Sequence, residues 1–592
     1  MKSLSFSQGK RVCFEPIKEL EVQEFDQNQK RFIKVKIQVA INNGNLIMFS
    51  YKNQIIRKAH FSDFYTNIDM FENIEQIKYL EWQGEYGPTQ RRQGKWIATW
   101  KGIRIIEVGG YYQDDIKMGL WKQPITNYGD KAKVYESGEY FEDQKCGRWN
   151  YIYKDAIIGG GSYDERQNGI KIGKWIELHQ RFHEKNQVFL NGEYKNGKKV
   201  GLWDINFINF YNKKFSQIGG GSYDDRGDGL KIGRWIELDE GFSQEGQIIH
   251  RGEYVNGKKV GIWDIYFNGI IQKIGGGSYD NNGDGIKLGK WIELEEGFYN
   301  YKLVVHNGEY KNSKKVGNWD IYYRSSIDEE IQKIGGGSYD DRGDGIKVGS
   351  WIELDKGFFL HNQLIYNGQY TEGKKFGRWD LKFRASYCNQ FRKFGGGSYD
   401  KSGDGVKIGN WVDLYEGFSE DCQLIYNGEY QNGKKVGRWD IKYRNNWCQQ
   451  FSEMCKTNYM SNICVSGGGI FEAAENECKQ GNWVEILNVF NKQSYAKYKG
   501  EYKDDKRIGQ WDILVHNNGN DEKIGGGLYD QLGNETKLGQ WNELSDDFNF
   551  YFQTIDNGEY RDGKKVGVWV HMYRGYNQEK GFKIGHETKY EI

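Results

Sequence analysis

The chain is poor in proline, in long apolar runs and in net charge. Only 3 of its 592 residues are proline, which excludes Pro-rich linkers, and strand-like runs of Val, Ile, Tyr and Trp exclude disorder. The 83 basic and 82 acidic residues leave a net charge of +1, so the basic field that draws nucleic acid is missing. No stretch approaches the roughly 18 apolar residues of a membrane span, and Met1 to Lys10 lacks the apolar core of a signal peptide. Lys2 stands where myristoylation needs glycine, and the terminal KYEI carries no prenylation cysteine. These absences predict a soluble, cytoplasmic protein with no integral membrane segment and no nucleic-acid partner.

Catalytic signatures are missing too. The 9 histidines form no HExxH set and no Walker or GxSxG motif occurs. The triple glycines precede Ser-Tyr-Asp in a strand pattern, not a helix start that would hold a phosphate. The expectation is a non-enzyme with no catalytic residue, cofactor or metal. Of the 8 cysteines, Cys448, Cys455, Cys464 and Cys478 are spaced much more widely than the CxxC pairs of structural zinc. Cys388 and Cys448 lie about four strands apart, or ~19 Å, beyond the ~7 Å reach of a disulfide. Reduced thiols are expected.

Aliphatic residues are also sparse, whereas Trp, Tyr and Phe make up 16% of the chain and glycine numbers 79. Burial must therefore rest on rings. Seventeen of the 20 tryptophans share the pattern basic-x-Gly-x-Trp: Trp96, Trp121, Trp149, Trp175, Trp203, Trp235, Trp263, Trp291, Trp319, Trp351, Trp379, Trp411, Trp439, Trp483, Trp511, Trp541 and Trp569. Two hairpin types alternate, the first as in GGGSYDDRGDGLKIGRWIEL at Gly219 to Leu238, the second as in RGEYVNGKKVGIWDIYF at Arg251 to Phe267. From the first Trp of a pair to the second is always 28 residues, as from Trp121 to Trp149, while the return distance varies. The variable connections thus lie between pairs.

Asn-Gly turns such as Asn196-Gly197 supply the positive φ angles of a tight hairpin, and period-2 alternation puts Gly201, Trp203, Ile205 and Phe207 on one face. A glycine two residues from each Trp, on that face, predicts a bare site on which a neighbouring aromatic lies flat. Strand after strand joined by turns predicts an all-β fold: an elongated antiparallel meander or solenoid of 17 Trp hairpins, about 160 Å long before twist, with one short N-terminal helix.

Gly-Glu-Tyr, Asn-Gly-Lys-Lys, then Gly-x-Trp, as in NGEYKNGKKVGLWDI at Asn191 to Ile205, resembles the Trp-bearing variant of the MORN repeat, over about residues 84 to 585. The resemblance implies stacked hairpins serving as a protein-binding scaffold or adaptor, in cytoskeletal or ciliary assemblies, membrane junctions or phosphoinositide-linked proteins. It implies no reaction.

Four segments are expected: 1–80 as an N-terminal cap, 81–444 as the repeat array, 445–466 as a Cys-containing insert, and 467–592 as the array continued to a C-terminal cap. In the cap, alternation from Ile33 to Val39, then Asn43-Gly44 and LIMFSY, reads as a hairpin; Ile68, Phe71, Ile74 and Ile77 read as a helix. The terminal GFKIGHETKYEI is expected to close the last sheet edge with charge.

Three further patterns each have two readings. A cation stands four before each Trp, as at Lys171, Lys199, Lys231 and Lys259, forming either a track for anionic lipid or a structural row neutralised by the acids two after the first-type Trp, such as Glu177 and Glu237. An aromatic follows each first-type Trp by seven: Tyr128, Phe182, Phe242, Phe298, Phe358, Phe418, Phe490 and Phe548. These are either plugs folded over the sheet or anchors for a partner. The DxxGDG turns at Asp224, Asp280, Asp340 and Asp400 are tight turns or calcium loops, although the EF-hand pattern fails.

The leading reading is a scaffold that binds unidentified proteins; a peripheral phosphoinositide or anionic-membrane binder is second, and a carbohydrate-binding aromatic ladder third. Partner recognition is expected in the variable connections and in the insert after Trp439.

Overall fold

The structure is a computed structural model and describes residues 18–26, 31–41, 46–52, 54–60, 73–165, 168–267, 272–295, 298, 302–326, 329–386, 388, 390–415, 418, 420, 424–443, 467–472, 477–486, 494–517, 520–545, 548, 552–575 and 581–590. The insert at 445–466, with Cys448, Cys455 and Cys464, lies outside the described residues, as does Phe490. The chain forms two compact units, Met1–Asn300 and Tyr301–Ile592.

The first unit opens with a four-stranded antiparallel sheet in chain order: β1 (Lys18–Asp26), β2 (Arg31–Ile41), β3 (Leu46–Tyr51) and β4 (Gln54–His60). The expected hairpin is β2 with β3, and it gains a strand on each side. A single turn and a half of helix follows, α1 (Ile74–Tyr79), whose Asn73 side chain caps it by accepting the Glu75 N–H at 2.8 Å. Of the four residues whose spacing predicts a helix, Ile74 and Ile77 lie in it, and Ile68 and Phe71 lie outside the described residues. Ile74 and Ile77 join Ile37, Ile47 and Phe49 in one core, so the sheet and helix act as one cap. Gln76 donates to the carbonyls of Ile125 and Thr126, both at 2.8 Å, fastening that cap to the first connection of the array.

Sixteen strands follow in this unit, β5 (Leu80–Tyr86) to β20 (Lys287–Leu294). The second unit holds nineteen, β21 (Leu303–Lys311) to β39 (Lys583–Tyr590). Within each unit they pair antiparallel with their chain neighbours, the simple meander expected. Every repeat Trp sits on an even-numbered strand, and the terminal segment forms β39, paired with the strand of Trp569 and exposed along its length.

One double unit explains the register. In β14 (Lys198–Ile208) to β16 (Lys231–Leu238), Trp203 pairs directly with Gly221 of β15 (Phe215–Tyr223). Between β15 and β16 the pairing jumps from Gly220↔Ile236 to Ser222↔Ile232, leaving Gly221 opposite a bulge on the Trp strand. Gly233, two before Trp235, sits in that bulge with φ +65. The bulge turns the Trp235 ring back over Gly221, where a Cβ would stand 2.3 Å from the ring. Its indole N–H then satisfies carbonyls at the bulge, Ser222 at 3.1 Å and Ile232 at 3.2 Å.

This corrects the expectation about the glycine two before Trp. That residue has open space around it, and its role is the left-handed backbone of the bulge. The bare site lies on the preceding strand instead: Gly192 beneath Trp203, Gly252 beneath Trp263, Gly337 beneath Trp351. The triple glycine has three separate reasons. A Cβ on Gly219 would meet the Ile236 carbonyl at 2.6 Å, one on Gly220 the Trp203 carbonyl at 2.2 Å, and one on Gly221 the Trp235 ring.

The two glycine roles separate experimentally. Gly221→Ala forces an immovable ring aside and is expected to cost about 3 kcal/mol of local opening free energy, by overpacking. Gly233→Ala meets no atom and costs only about 1 to 2 kcal/mol, by left-handed strain. Hydrogen exchange of residues 215–238 measures both, and equal costs would contradict the assignment.

Candidate functional site

The Trp face carries all the repeated chemistry. Tyrosines two after each covered glycine interleave with the tryptophans edge to face: Tyr194 to Trp203 at 5.3 Å, Trp203 to Tyr223 at 6.2 Å, Tyr223 to Trp235 at 5.1 Å and Trp235 to Tyr254 at 6.1 Å. The second unit repeats this from Tyr310 to Tyr590, with Phe471 in one tyrosine place. These tyrosines were not singled out from the sequence, although their fixed place in Gly-Glu-Tyr and Gly-Ser-Tyr was the available signal.

Over the rings lie the cations. Lys199 stands 3.8 Å from the Trp203 ring centroid, Lys231 4.6 Å from Trp235 and Lys259 3.9 Å from Trp263. The first-type acids then join successive cations. Glu177 binds Lys171 at 2.5 Å and Lys199 at 2.8 Å, and accepts the Tyr194 hydroxyl at 2.8 Å. Glu237 pairs with Lys231 and Lys259 and accepts from Tyr254. Glu353, Glu485 and Glu543 repeat the arrangement, with Arg507 as the second cation at Glu485. Burial raises the pKa of these carboxyls, but the two flanking cations outweigh it, and each ends below the ordinary value.

Gln123 interrupts the pattern. It stands where an acid is expected, and half-buried Lys117 donates to its Oε1 at 3.0 Å. Burial, little offset by Glu136, pushes that lysine's pKa down to about 8. The row is therefore a set of compensated nodes and no uniform basic track.

All seventeen repeat tryptophans are between 0 and 5% exposed. A sugar stacks on an open ring face, so the carbohydrate-ladder reading fails on geometry. The described aromatics seven after the first-type Trp are buried as well. Phe182 packs on Phe189 at 5.5 Å, Phe242 on Phe207 at 5.5 Å, Phe298 on Phe267 at 5.8 Å, Phe358 on Tyr323 at 5.3 Å and Phe418 on Phe383 at 5.5 Å. Phe548 lies among Ala496, Ile513 and Ile555, and Tyr128 against Trp100 at 5.0 Å. They close the sheet face and offer no anchor to a partner. Their loops also join one another, since Asn127 donates to the Phe182 carbonyl at 2.6 Å and Asn186 to that of Phe242 at 3.3 Å.

In the Asp-Gly turns the first carboxylate is occupied by its own loop. Asp224 accepts the N–H groups of Asp228 at 3.0 Å and Leu230 at 2.5 Å, and Asp340 those of Asp344 at 3.2 Å and Ile346 at 2.6 Å. The Ile346 and Asp344 N–H bonds hold the Asp340 carboxyl below its usual pKa. This is turn closure, with the loop's N–H groups where a calcium ion would need free oxygens. Among the described residues, no group of three or more His, Cys, Asp or Glu is placed to hold a metal, and Cys146, Cys388 and Cys478 form no disulfide. No described helix is long and apolar enough to cross a membrane.

No protein-family model and no curated protein matches the chain. Among solved structures it is similar to the WD40 domain of SCAP from fission yeast, at 8% identity and a TM-score of 0.16, over 87% of this chain and 86% of that one. A likeness at that score carries no argument.

The acid nodes set a pH dependence. A glutamate whose folded pKa lies below its unfolded value stabilises the fold above that unfolded value, and the contribution is lost as pH falls through the folded one. Thermal stability is expected to stay level from neutral pH to about 5 and to fall below it. Glu353→Gln lowers stability at neutral pH and makes the acid limb shallower; an unchanged acid limb would refute the role of the nodes.

Proposed function

We propose that the chain is a non-enzymatic repeat scaffold of MORN type that binds other proteins, with a cytoplasmic cytoskeletal or ciliary assembly as its setting. The observation that carries this reading is the contrast between the two faces of the array. On the Trp face, rings, lysines, acids and plugs are engaged with one another. On the opposite face, the residue before the repeat Trp is polar at most places, but at three places in the first unit it is aliphatic and stands in solvent: Leu120 is 77% exposed, Leu202 66% and Ile262 68%. Large apolar side chains left in solvent on a strand face are what a protein partner covers. This adds the back of the sheet as a recognition surface beside the connections, whose described aromatics are buried, and the insert at 445–466, which lies outside the described residues.

The anionic-membrane reading is weaker because the lysines of the supposed track face acids across the strands. Sedimentation with vesicles containing phosphatidylserine at about 0.1 M salt, where the Debye length is ~10 Å, is expected to leave the protein in the supernatant. Co-sedimentation would restore that reading.

Affinity purification from native cells tests the scaffold directly. A specific partner is expected to be enriched with the natural chain and lost with the double variant Leu202→Asp and Ile262→Asp, whose own fold is unaffected because both side chains are exposed. Enrichment that survives the double variant would place recognition elsewhere.

A further inference from the structure

The acid nodes differ at one place. Wherever the node is glutamate and both cations are described in contact, it bridges its own hairpin's lysine and the cation of the next, as Glu353 does with Lys347 at 2.5 Å and Lys375 at 3.0 Å. At the following node the residue is Asp413, one methylene shorter. It holds Lys407 at 2.9 Å and accepts the Tyr430 hydroxyl at 2.7 Å. It does not reach the second cation. Lys435 has no carboxylate within ion-pair distance among the described residues, and its ammonium rests over the rings of Tyr426 at 4.9 Å and Trp439 at 4.7 Å.

A cavity of about 480 Å³ opens at this place, inside the second unit and lined by Lys375, Lys407 and Lys435 with Tyr366, Tyr399 and Tyr426. Lys375 is ion-paired with Glu353, which it shares with Lys347, and Lys407 with Asp413, whereas the Lys435 ammonium has no ion pair among the described residues; Asp413 and Glu477, which accepts the Lys435 backbone N–H at 2.6 Å, act on it only from farther off. Burial holds Lys435 below its ordinary pKa, as expected of an ammonium lacking full compensation. A volume in the range of small-molecule sites, ring walls and one ammonium without an ion pair define a ligand by chemistry.

We propose that this cavity binds a small organic anion, whose carboxylate or phosphate group meets the Lys435 ammonium and whose ring or apolar body lies among the tyrosines. The ammonium donates up to three hydrogen bonds without a fixed plane, so either acid group satisfies it. The aromatic walls favour a soluble ring-bearing anion over the inorganic ion. A lipid head group offers the same phosphate chemistry, and its source is separated by the test.

The test is calorimetric titration of the full chain with benzoate, phenyl phosphate and inorganic phosphate, beside sedimentation with phosphatidylserine vesicles. Saturable binding of benzoate or phenyl phosphate is expected, tighter than inorganic phosphate. Lys435→Gln should weaken it by about tenfold or more, the loss of roughly 1.4 kcal/mol. Asp413→Glu should do the same while melting no lower than the natural chain, because the longer acid reaches Lys435 and restores the ordinary node. That second variant separates loss of the site from loss of the fold. Absence of saturable binding by either organic anion, binding only to vesicles, or binding unaffected by Asp413→Glu would each overturn the proposal.

Discussion

An indole lying flat on a glycine is the contact on which the rest of this fold depends. After the first, Gly84, a covered glycine is met from two sides: one Trp stands directly opposite it in the ladder, and the next Trp ring closes over it, as Trp203 and Trp235 do at Gly221. No side chain larger than hydrogen fits between them. The constraint passes from strand to strand, because the Trp that covers one glycine is itself opposite the next. Burial by large rings thereby replaces the aliphatic core that the composition lacks, each fully buried ring contributing on the order of 1.5 to 3 kcal/mol.

The charged groups follow from the same geometry. A ring turned flat presents its π face outward, and the lysine four residues earlier lies over it. An ammonium held there over a half-buried surface needs a counter-charge, and the acid two after the first-type Trp supplies it across the strands. Tyrosine hydroxyls complete the acid's hydrogen bonding. Rings, cations and acids therefore form one structural layer. The Asp413 node matters because it shows what happens when that layer is one methylene short.

Much of this was legible in the sequence because a strand has a simple period. Lys, Trp and the acid two residues later share a face by counting in twos, and the 28-residue spacing of the Trp pairs marks the alternating hairpins. The glycine two before Trp was misread for a physical reason. A bulge adds residues on one strand only, so counting by twos cannot tell a glycine chosen for its left-handed φ, such as Gly233, from one chosen for its bare surface, such as Gly221. The aromatic plugs were legible as a fixed spacing, but their burial against Phe189, Phe207 or Tyr323 depends on tertiary contacts. The first and fourth strands of the N-terminal sheet were missed because Lys18–Asp26 and Gln54–His60 alternate less regularly than Arg31–Ile41.

The tryptophan face is closed, each repeat ring being covered by the groups packed on it. Acrylamide quenching of intrinsic tryptophan fluorescence measures that closure directly in solution. The account predicts blue-shifted emission dominated by a shielded population, unchanged by added glycans. Red-shifted emission that acrylamide quenches almost completely would show open rings and contradict it.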